Sequence, residues 1–316
     1  MYHTRMLVLG IDAGASKTVC FLCDEGGRIL GEGHASGANL QTVGPRRMET
    51  VLHGVIDQAL TGRADRPDAV CVGIAGADRT HDAEVVQASV ERLVPGAPVL
   101  VVNDALIALE AGAPGQPGIV VVSGTGSIAY GHDGHGRAAR SGGWGHMIGD
   151  EGSGYWIGKE ALVAVVRHVD GRGPQTQLTP DILAHFRVSN AAAFLQIVYD
   201  RDVPRREVAA LGPVVQRARD AGDAVAIHIL DRAIEELVLC ATAVATRLGL
   251  GSESFAIVLA GGAFRVVPWL KTTLTERLFA RWPRARVRLL DREPALGAVS
   301  LALATARGNA RIPVYV

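Results

Sequence analysis

Ile119-Val120-Val121-Val122-Ser123-Gly124-Thr125-Gly126-Ser127 reads as a short buried strand that breaks into a glycine-rich turn. The stretch continues through a second apolar run at 128–130 and a polar turn, His132-Asp133-Gly134-His135-Gly136. It closes with Gly142-Gly143-Trp144-Gly145-His146-Met147-Ile148-Gly149-Asp150-Glu151-Gly152-Ser153-Gly154. Between Ser123 and Gly154, 11 of 32 residues are Gly, against 38 of 316 in the chain, an enrichment of about three times. Glycine costs backbone entropy and packs nothing, so the cluster needs a reason. Tight turns account for part of it. Backbone held close to a ligand, with N–H groups aimed at anionic oxygens, accounts for more.

An earlier version of the same pattern opens the chain. The apolar run 6–11 ends in Asp12-Ala13-Gly14-Ala15-Ser16-Lys17-Thr18, the run 19–23 follows, and Asp24-Glu25-Gly26-Gly27 marks a hairpin turn before a third strand at 28–33. Placing Gly14-Ala15-Ser16-Lys17 on Gly124-Thr125-Gly126-Ser127 gives an offset of 110. A second echo pairs 69–76 with 255–262, in the same order. Helices are predicted at 45–60, at 85–93 and, following Asn103-Asp104, to about 112, and strands at 69–75 and 99–102. The pattern is two copies of one βββαβαβα unit joined by the linker Ala113-Pro114-Gly115-Gln116-Pro117-Gly118. Between the second copy's hairpin and its next strand lies a helical insertion, about 155–248. It comprises a helix at 155–169, shorter ones over 180–221 and a long amphipathic one at 223–248. A helix at 268–280, a strand at 287–290 and a closing helix at 294–307 complete the reading.

Bulk properties narrow the function. A chain of 316 residues is long for one core, so two domains are expected: 1–115, joined by the closing segment 294–316, and 116–293. Net charge is zero, which argues against nucleic acid or an anionic membrane as the main partner. No apolar run approaches the length of a spanning helix, and Met1-Tyr2-His3-Thr4-Arg5 leads into a strand with no signal-peptide core. Cys20, Cys23, Cys71 and Cys240 all fall inside regular elements, which fits buried, reduced thiols in a cytoplasmic protein.

The two glycine-rich turns point to a nucleotide clamped between duplicated halves. Gly14, Ala15, Ser16, Lys17 and Thr18 offer N–H groups, two hydroxyls and an ammonium; Ser123, Gly124, Thr125, Gly126 and Ser127 offer N–H groups and three hydroxyls. Neither is a Walker loop, because Lys17 stands only three residues after Gly14 and no helix follows. Asp12 follows a buried strand and suits Mg²⁺, directly or through water. Asp104 follows another strand; it either points into a ligand crevice or caps the next helix. Gly261-Gly262 either lie against a flat ring such as adenine or form a plain strand-to-helix turn.

Gly10-Ile11-Asp12-Ala13-Gly14-Ala15-Ser16-Lys17-Thr18, Val101-Val102-Asn103-Asp104, Ser123-Gly124-Thr125-Gly126-Ser127 and Leu259-Ala260-Gly261-Gly262-Ala263 stand in the order of sugar kinases of the actin/hexokinase/Hsp70 superfamily. Gly142-Gly143-Trp144-Gly145 followed by Gly149-Asp150-Glu151-Gly152-Ser153 narrows the resemblance to N-acetylglucosamine kinases and BadF/BadG-type ATPases, over about 7–307. The resemblance implies an α/β, duplicated ribonuclease H-like (actin-like ATPase) fold, two domains around a nucleotide cleft, and ATP with Mg²⁺ as cofactors. It implies ATP-dependent phosphorylation of N-acetylglucosamine or glucosamine at O6, or of a relative such as N-acetylmuramic acid. By position, it makes Asp104 the general base, Asp12 the Mg²⁺ residue, the two turns phosphate loops, and Gly261 and Gly262 the adenosine contact. Asn39, Asn103, Asp104, Trp144, Gly145 and Asp150 fall at its sugar-binding positions, the role of His146 is open, and a homodimer is implied.

Two other functions compete. The neighbouring branch of the family holds ATPase activators of radical dehydratases and reductases, which bind an iron–sulfur cluster through Cys; here no Cys stands between 119 and 154. The third is a nucleotide-binding regulator without catalysis, against which stand Asp12, Asp104 and the lack of a DNA-binding module before Met6.

Overall fold

The computed structural model describes residues 6–63, 66–77, 79–195 and 204–316. The first copy runs β1 (Leu7–Ala13), β2 (Lys17–Asp24), β3 (Ile29–Ser36), α1 (Leu40–Val43), α2 (Pro45–Leu60), β4 (Ala69–Ile74), α3 (Thr80–Leu93), β5 (Val99–Val102) and α4 (Asp104–Gly112). The second opens with β6 (Gly118–Ser123), β7 (Ser127–His132) and β8 (Arg137–Gly142). Its insertion carries α5 (Gly154–Val169), α6 (Leu178–Phe186), α7 (Ala193–Leu195), α8 (Arg205–Ala209), α9 (Gly212–Asp220) and α10 (Ala224–Leu248). Then come β9 (Ala256–Ala260), α11 (Ala263–Val266), α12 (Pro268–Arg281), β10 (Arg286–Leu289), α13 (Ala295–Ala306) and β11 (Val314–Tyr315).

Duplication is visible in the sheets. The five-stranded sheet has the order β3-β2-β1-β4-β5; the six-stranded sheet reads β8-β7-β6-β9-β10 in the same sense, with β11 added beside β8. The chain divides into two compact units: 1–120 with 131–138 and 290–316, and 121–130 with 139–289.

In the first unit β1 is the central strand, and all seven of its residues are buried. A strand covered on both faces is written as a continuous apolar run, which is why Leu7-Val8-Leu9-Gly10-Ile11 does not alternate. α2 presents Met48, Leu52, Val55, Ile56 and Ala59 to this sheet, a helical stripe started by Pro45 in its first turn. α13 packs against β1 and α4. The approach needs two glycines: a Cβ on Gly10 would meet the backbone of Val299 and Ala295, and one on Gly297 the carbonyl of Ile107.

Four elements were not read from the sequence, among them α11, a four-residue helix between β9 and α12. β8 is built on Arg137-Ala138-Ala139-Arg140, which has no β-branched or aromatic residue to announce a strand. β11 is a two-residue addition parallel to β8. α1 is a single turn, started by Asn39 accepting from Gln41 N. The shorter helices expected over 180–221 resolve into α6 to α9, with 196–203 outside the described residues. No helix among the described residues is long and apolar enough to cross a membrane.

Candidate active site

In the first unit two carboxylates stand at strand ends. β1, β4 and β5 are parallel, and the register sets Asp12 beside Gly73 and Gly73 beside Val102. Asp12 therefore stands one residue before the end of the central strand, one row from where the chain turns into Asn103 and Asp104. The sequence left open whether Asp104 points into a ligand crevice or caps α4. Asn103 is the cap: its side-chain oxygen accepts from Ala105 N at 2.9 Å, and Asp104 is the first helical residue.

Asp12 is 8% exposed, and its carboxyl is pushed up to about 7. Burial is the main cause; the negative charges of Asp104 and Glu293 add to it, and Lys17 opposes it. Lys17 Nζ donates to Glu293 at 2.6 Å. Asp12, Asp104 and Glu293 thus share one negative neighbourhood of hard oxygen donors, which a divalent cation would relieve. Among the described residues no group of three or more His, Cys, Asp or Glu is arranged to hold a metal alone. Mg²⁺ needs no such cage: one or two carboxylates suffice when phosphates and water supply the remaining oxygens.

The first glycine-rich turn is closed by Gly14 N donating to Lys17 O at 3.0 Å and is tied to the next loop by Ala38 N donating to Gly14 O at 3.1 Å. Ala15, Ser16 and Lys17 are exposed at its tip. Thr18 is fully buried, and its hydroxyl donates to Ser36 O at 2.8 Å, so that hydroxyl serves the β2–β3 pairing. Asn39 follows Ala38; its oxygen is engaged by Gln41 N and Thr42 Oγ1, a cap that does not use its NH₂.

In the second unit the two ends of the glycine-rich stretch, separate in sequence, form one piece. Ser123 Oγ donates to Gly152 O at 2.7 Å and Ser127 Oγ to Glu151 O at 2.6 Å. Gly154 N donates to Gly124 O at 2.8 Å. Ser127 N lies 3.4 Å from Asp150 Oδ1. Of the three hydroxyls offered by the turn, those of Ser123 and Ser127 hold the 149–154 segment. Asp150 is 6% exposed and has φ +62°, a left-handed backbone that a non-glycine residue adopts at a cost of about 1–3 kcal/mol. Burial raises its carboxyl above the usual range; the Ser127 N–H, Arg205 and His146 pull against that. Trp144 is 65% exposed under the Arg140 guanidinium, 4.6 Å from its ring centre, and Gly145 continues the loop toward Asp150.

Gly261 has φ +109°, and a Cβ there would run into Ser123 O and Gly124 N. The end of β9 is thus pressed onto the Ser123 turn, whereas Gly262 has open space around it. Gly261→Ala should cost about 1–3 kcal/mol and shift the urea midpoint accordingly. An unshifted midpoint would mean that the turn moves aside freely.

The four cysteines are poor cluster ligands. Cys20, Cys23 and Cys71 are buried, and burial raises all three thiols, Cys23 to about 11. Cys240, on α10, is raised by burial as well. A thiolate ligand needs the opposite environment. Sequence reading missed Arg205 and His146 as neighbours of Asp150. Arg205 follows Pro204 in a stretch without motif, 55 residues from Asp150, so only the fold brings it there.

The model of the BadF/BadG/BcrA/BcrD ATPase family matches residues 9–302. The N-acetylmuramic acid/N-acetylglucosamine kinase of Clostridium acetobutylicum is 36% identical over 298 residues, 93% of this chain and 97% of that one. The N-acetyl-D-glucosamine kinase of Dictyostelium discoideum is 29% identical over 314 residues, 95% of this chain and 98% of that one. A crystal structure from Chromobacterium violaceum, provisionally named an N-acetylglucosamine kinase, superposes with a TM-score of 0.73 at 26% identity, covering 94% of this chain and 99% of that one. The repeated strand order is the duplicated ribonuclease H-like, actin-like arrangement expected from the sequence. On a match spanning both copies and relatives aligned over nearly their whole lengths, the chain belongs to the BadF/BadG/BcrA/BcrD ATPase family.

Proposed function

We propose that this protein transfers the terminal phosphoryl group of ATP to the O6 hydroxyl of an amino sugar, N-acetylglucosamine or glucosamine. The observation that carries the reading is the pair of carboxylates at the ends of β1 and β5, Asp12 and Asp104, in a chain whose full-length relatives are named for amino-sugar phosphorylation.

Phosphoryl transfer asks a protein for placement, charge neutralisation and a base near the attacking oxygen. Asp104 is assigned the base: it accepts the proton of the sugar hydroxyl as that oxygen attacks phosphorus. Asn103 holds the start of α4 by its cap and so sets where Asp104 stands. Asp12 would hold Mg²⁺, which would supply charge neutralisation for the phosphates. Among the turn N–H groups, those of Ala15, Ser16, Thr125 and Gly126 serve in no turn hydrogen bond and are assigned to phosphate oxygens. Lys17 adds a positive charge to the first turn, and the Thr125 hydroxyl a donor to the second. Ser123, Ser127, Gly124 and Thr18 act by shaping these turns. Gly261 and Gly262 are assigned to the adenosine, with Gly261 also setting the Ser123 turn. Asn39, Trp144, Gly145 and Asp150 are assigned to the sugar, through the Asn39 NH₂ and the Asp150 carboxyl. The two units are proposed as the two domains, and the protein as a cytoplasmic homodimer acting on a small molecule rather than on nucleic acid or membrane.

N-acetylglucosamine lacking its 6-hydroxyl tests the position of transfer. It should compete with N-acetylglucosamine yet accept no phosphate. A phosphorylated 6-deoxy product would overturn the O6 assignment. The dehydratase-activator reading requires accessible thiolates, and the buried, high-pKa thiols weigh against it.

A further inference from the structure

Arg205 is the first residue of α8, a five-residue helix in the insertion. α8 is pressed onto α5. A Cβ on Gly158 would meet Val208 O, and one on Gly154, one turn earlier, would touch Ala209. Two glycines four residues apart on α5 therefore fix the height of α8 and, with it, the place of Arg205. His146 is fixed too: its ring stands edge-on to Tyr155 at 5.5 Å between centres. Arg205 NH1 lies 3.3 Å from His146 Nδ1. Guanidinium has no acceptor, so in this hydrogen bond Arg205 donates and His146 Nδ1 accepts.

The pair leaves donors over. Arg205 is half-buried and, among the described residues, forms no ion pair with a carboxylate within 4.0 Å. Its charge pulls the Asp150 carboxyl down, but burial prevails there and the carboxyl stays raised, so Arg205 does not satisfy Asp150 as an ion-pair partner would. A half-buried guanidinium costs desolvation and gains little from a neutral sugar. Its planar fork of N–H groups matches a carboxylate. The kinase of Clostridium acetobutylicum is named for N-acetylmuramic acid as well as N-acetylglucosamine. The two sugars differ by a lactyl ether that ends in a carboxylate.

We propose that Arg205, seated against His146, binds a carboxylate on the sugar, so that the enzyme accepts a carboxyl-bearing amino sugar such as N-acetylmuramic acid. This rests on the kinase reading above and adds the residue that selects the acidic sugar. Arg205 supplies the charge-assisted hydrogen bonds and His146 holds the guanidinium in place.

The test compares kcat/KM for N-acetylglucosamine, N-acetylmuramic acid and the uncharged amide of the latter in wild type, Arg205→Gln and Arg205→Lys. In Arg205→Gln the ratio of acidic to neutral sugar should fall about 10–100-fold, mainly through KM, the size of a lost hydrogen bond to a charged group. Arg205→Lys should restore part of it, and the ratio of amide to N-acetylglucosamine should not follow. An equal loss on all three sugars would overturn the proposal and make Arg205 a support for Asp150 or α8. Wild type that phosphorylates N-acetylglucosamine but not N-acetylmuramic acid would also overturn it while leaving the kinase reading intact. Wild type that phosphorylates none of the three would overturn the kinase reading itself.

Discussion

Asp104→Asn should lower phosphoryl transfer about 10²–10⁴-fold, the usual contribution of a positioned base. The substitution keeps size and hydrogen bonding but removes the group that takes the hydroxyl proton. The fold should be retained, because Asn103, not Asp104, makes the cap bond that starts α4. ATP affinity, measured by calorimetry, should stay within a few-fold of wild type. Asn103→Ala is the matching control: losing the cap should cost about 0.5–2 kcal/mol of stability. If Asp104→Asn instead unfolds the chain or abolishes ATP binding, its role is structural and the assignment of the base fails.

Asp12→Asn should reduce a pH dependence of stability. The folded carboxyl is pushed up to about 7, against an ordinary value of 3.8, so the folded state holds the proton more tightly than the unfolded one. Its stabilising contribution is complete below about pH 4 and is lost as pH rises through 7. At 1.36 kcal/mol per pH unit the loss is roughly 4 kcal/mol, shared with its neighbours Asp104 and Glu293. Urea titrations of the ligand-free protein at pH 5 and pH 8 should show wild type weakening across this window and Asp12→Asn weakening less. The variant should be the more stable of the two at pH 8. Parallel pH curves for the two proteins would contradict the buried, charge-repelled setting of Asp12. The same setting fits a divalent cation, whose charge would favour the ionised form.

Much of this site is written in local sequence. Buried strands appear as apolar runs and their ends as glycine or acid, so Asp12, Asp104 and both glycine-rich turns could be placed before any coordinates. Repetition of that pattern at an offset of 110 residues matches the repeated strand order. What the sequence hid are the relations that depend on side-chain direction. Asn103 and Asp104 are both good cap residues, and only the backbone angles decide between them. The hydroxyls of Thr18, Ser123 and Ser127 read as phosphate donors, yet they close strand and loop contacts. The phosphate-type turn and the Asp150 segment, 23 residues apart at Ser127 and Asp150, are one hydrogen-bonded unit. Arg205 comes to His146 through the packing of α8 on α5, which no periodicity in a five-residue helix could announce.

The central claim is that ATP turnover is transfer to a sugar. It is tested most directly by measuring ADP and phosphosugar together, with N-acetylglucosamine present and absent. The account predicts one phosphosugar for each ADP, with little ADP formed when sugar is withheld. Sugar-independent ATP hydrolysis with no phosphosugar would contradict it.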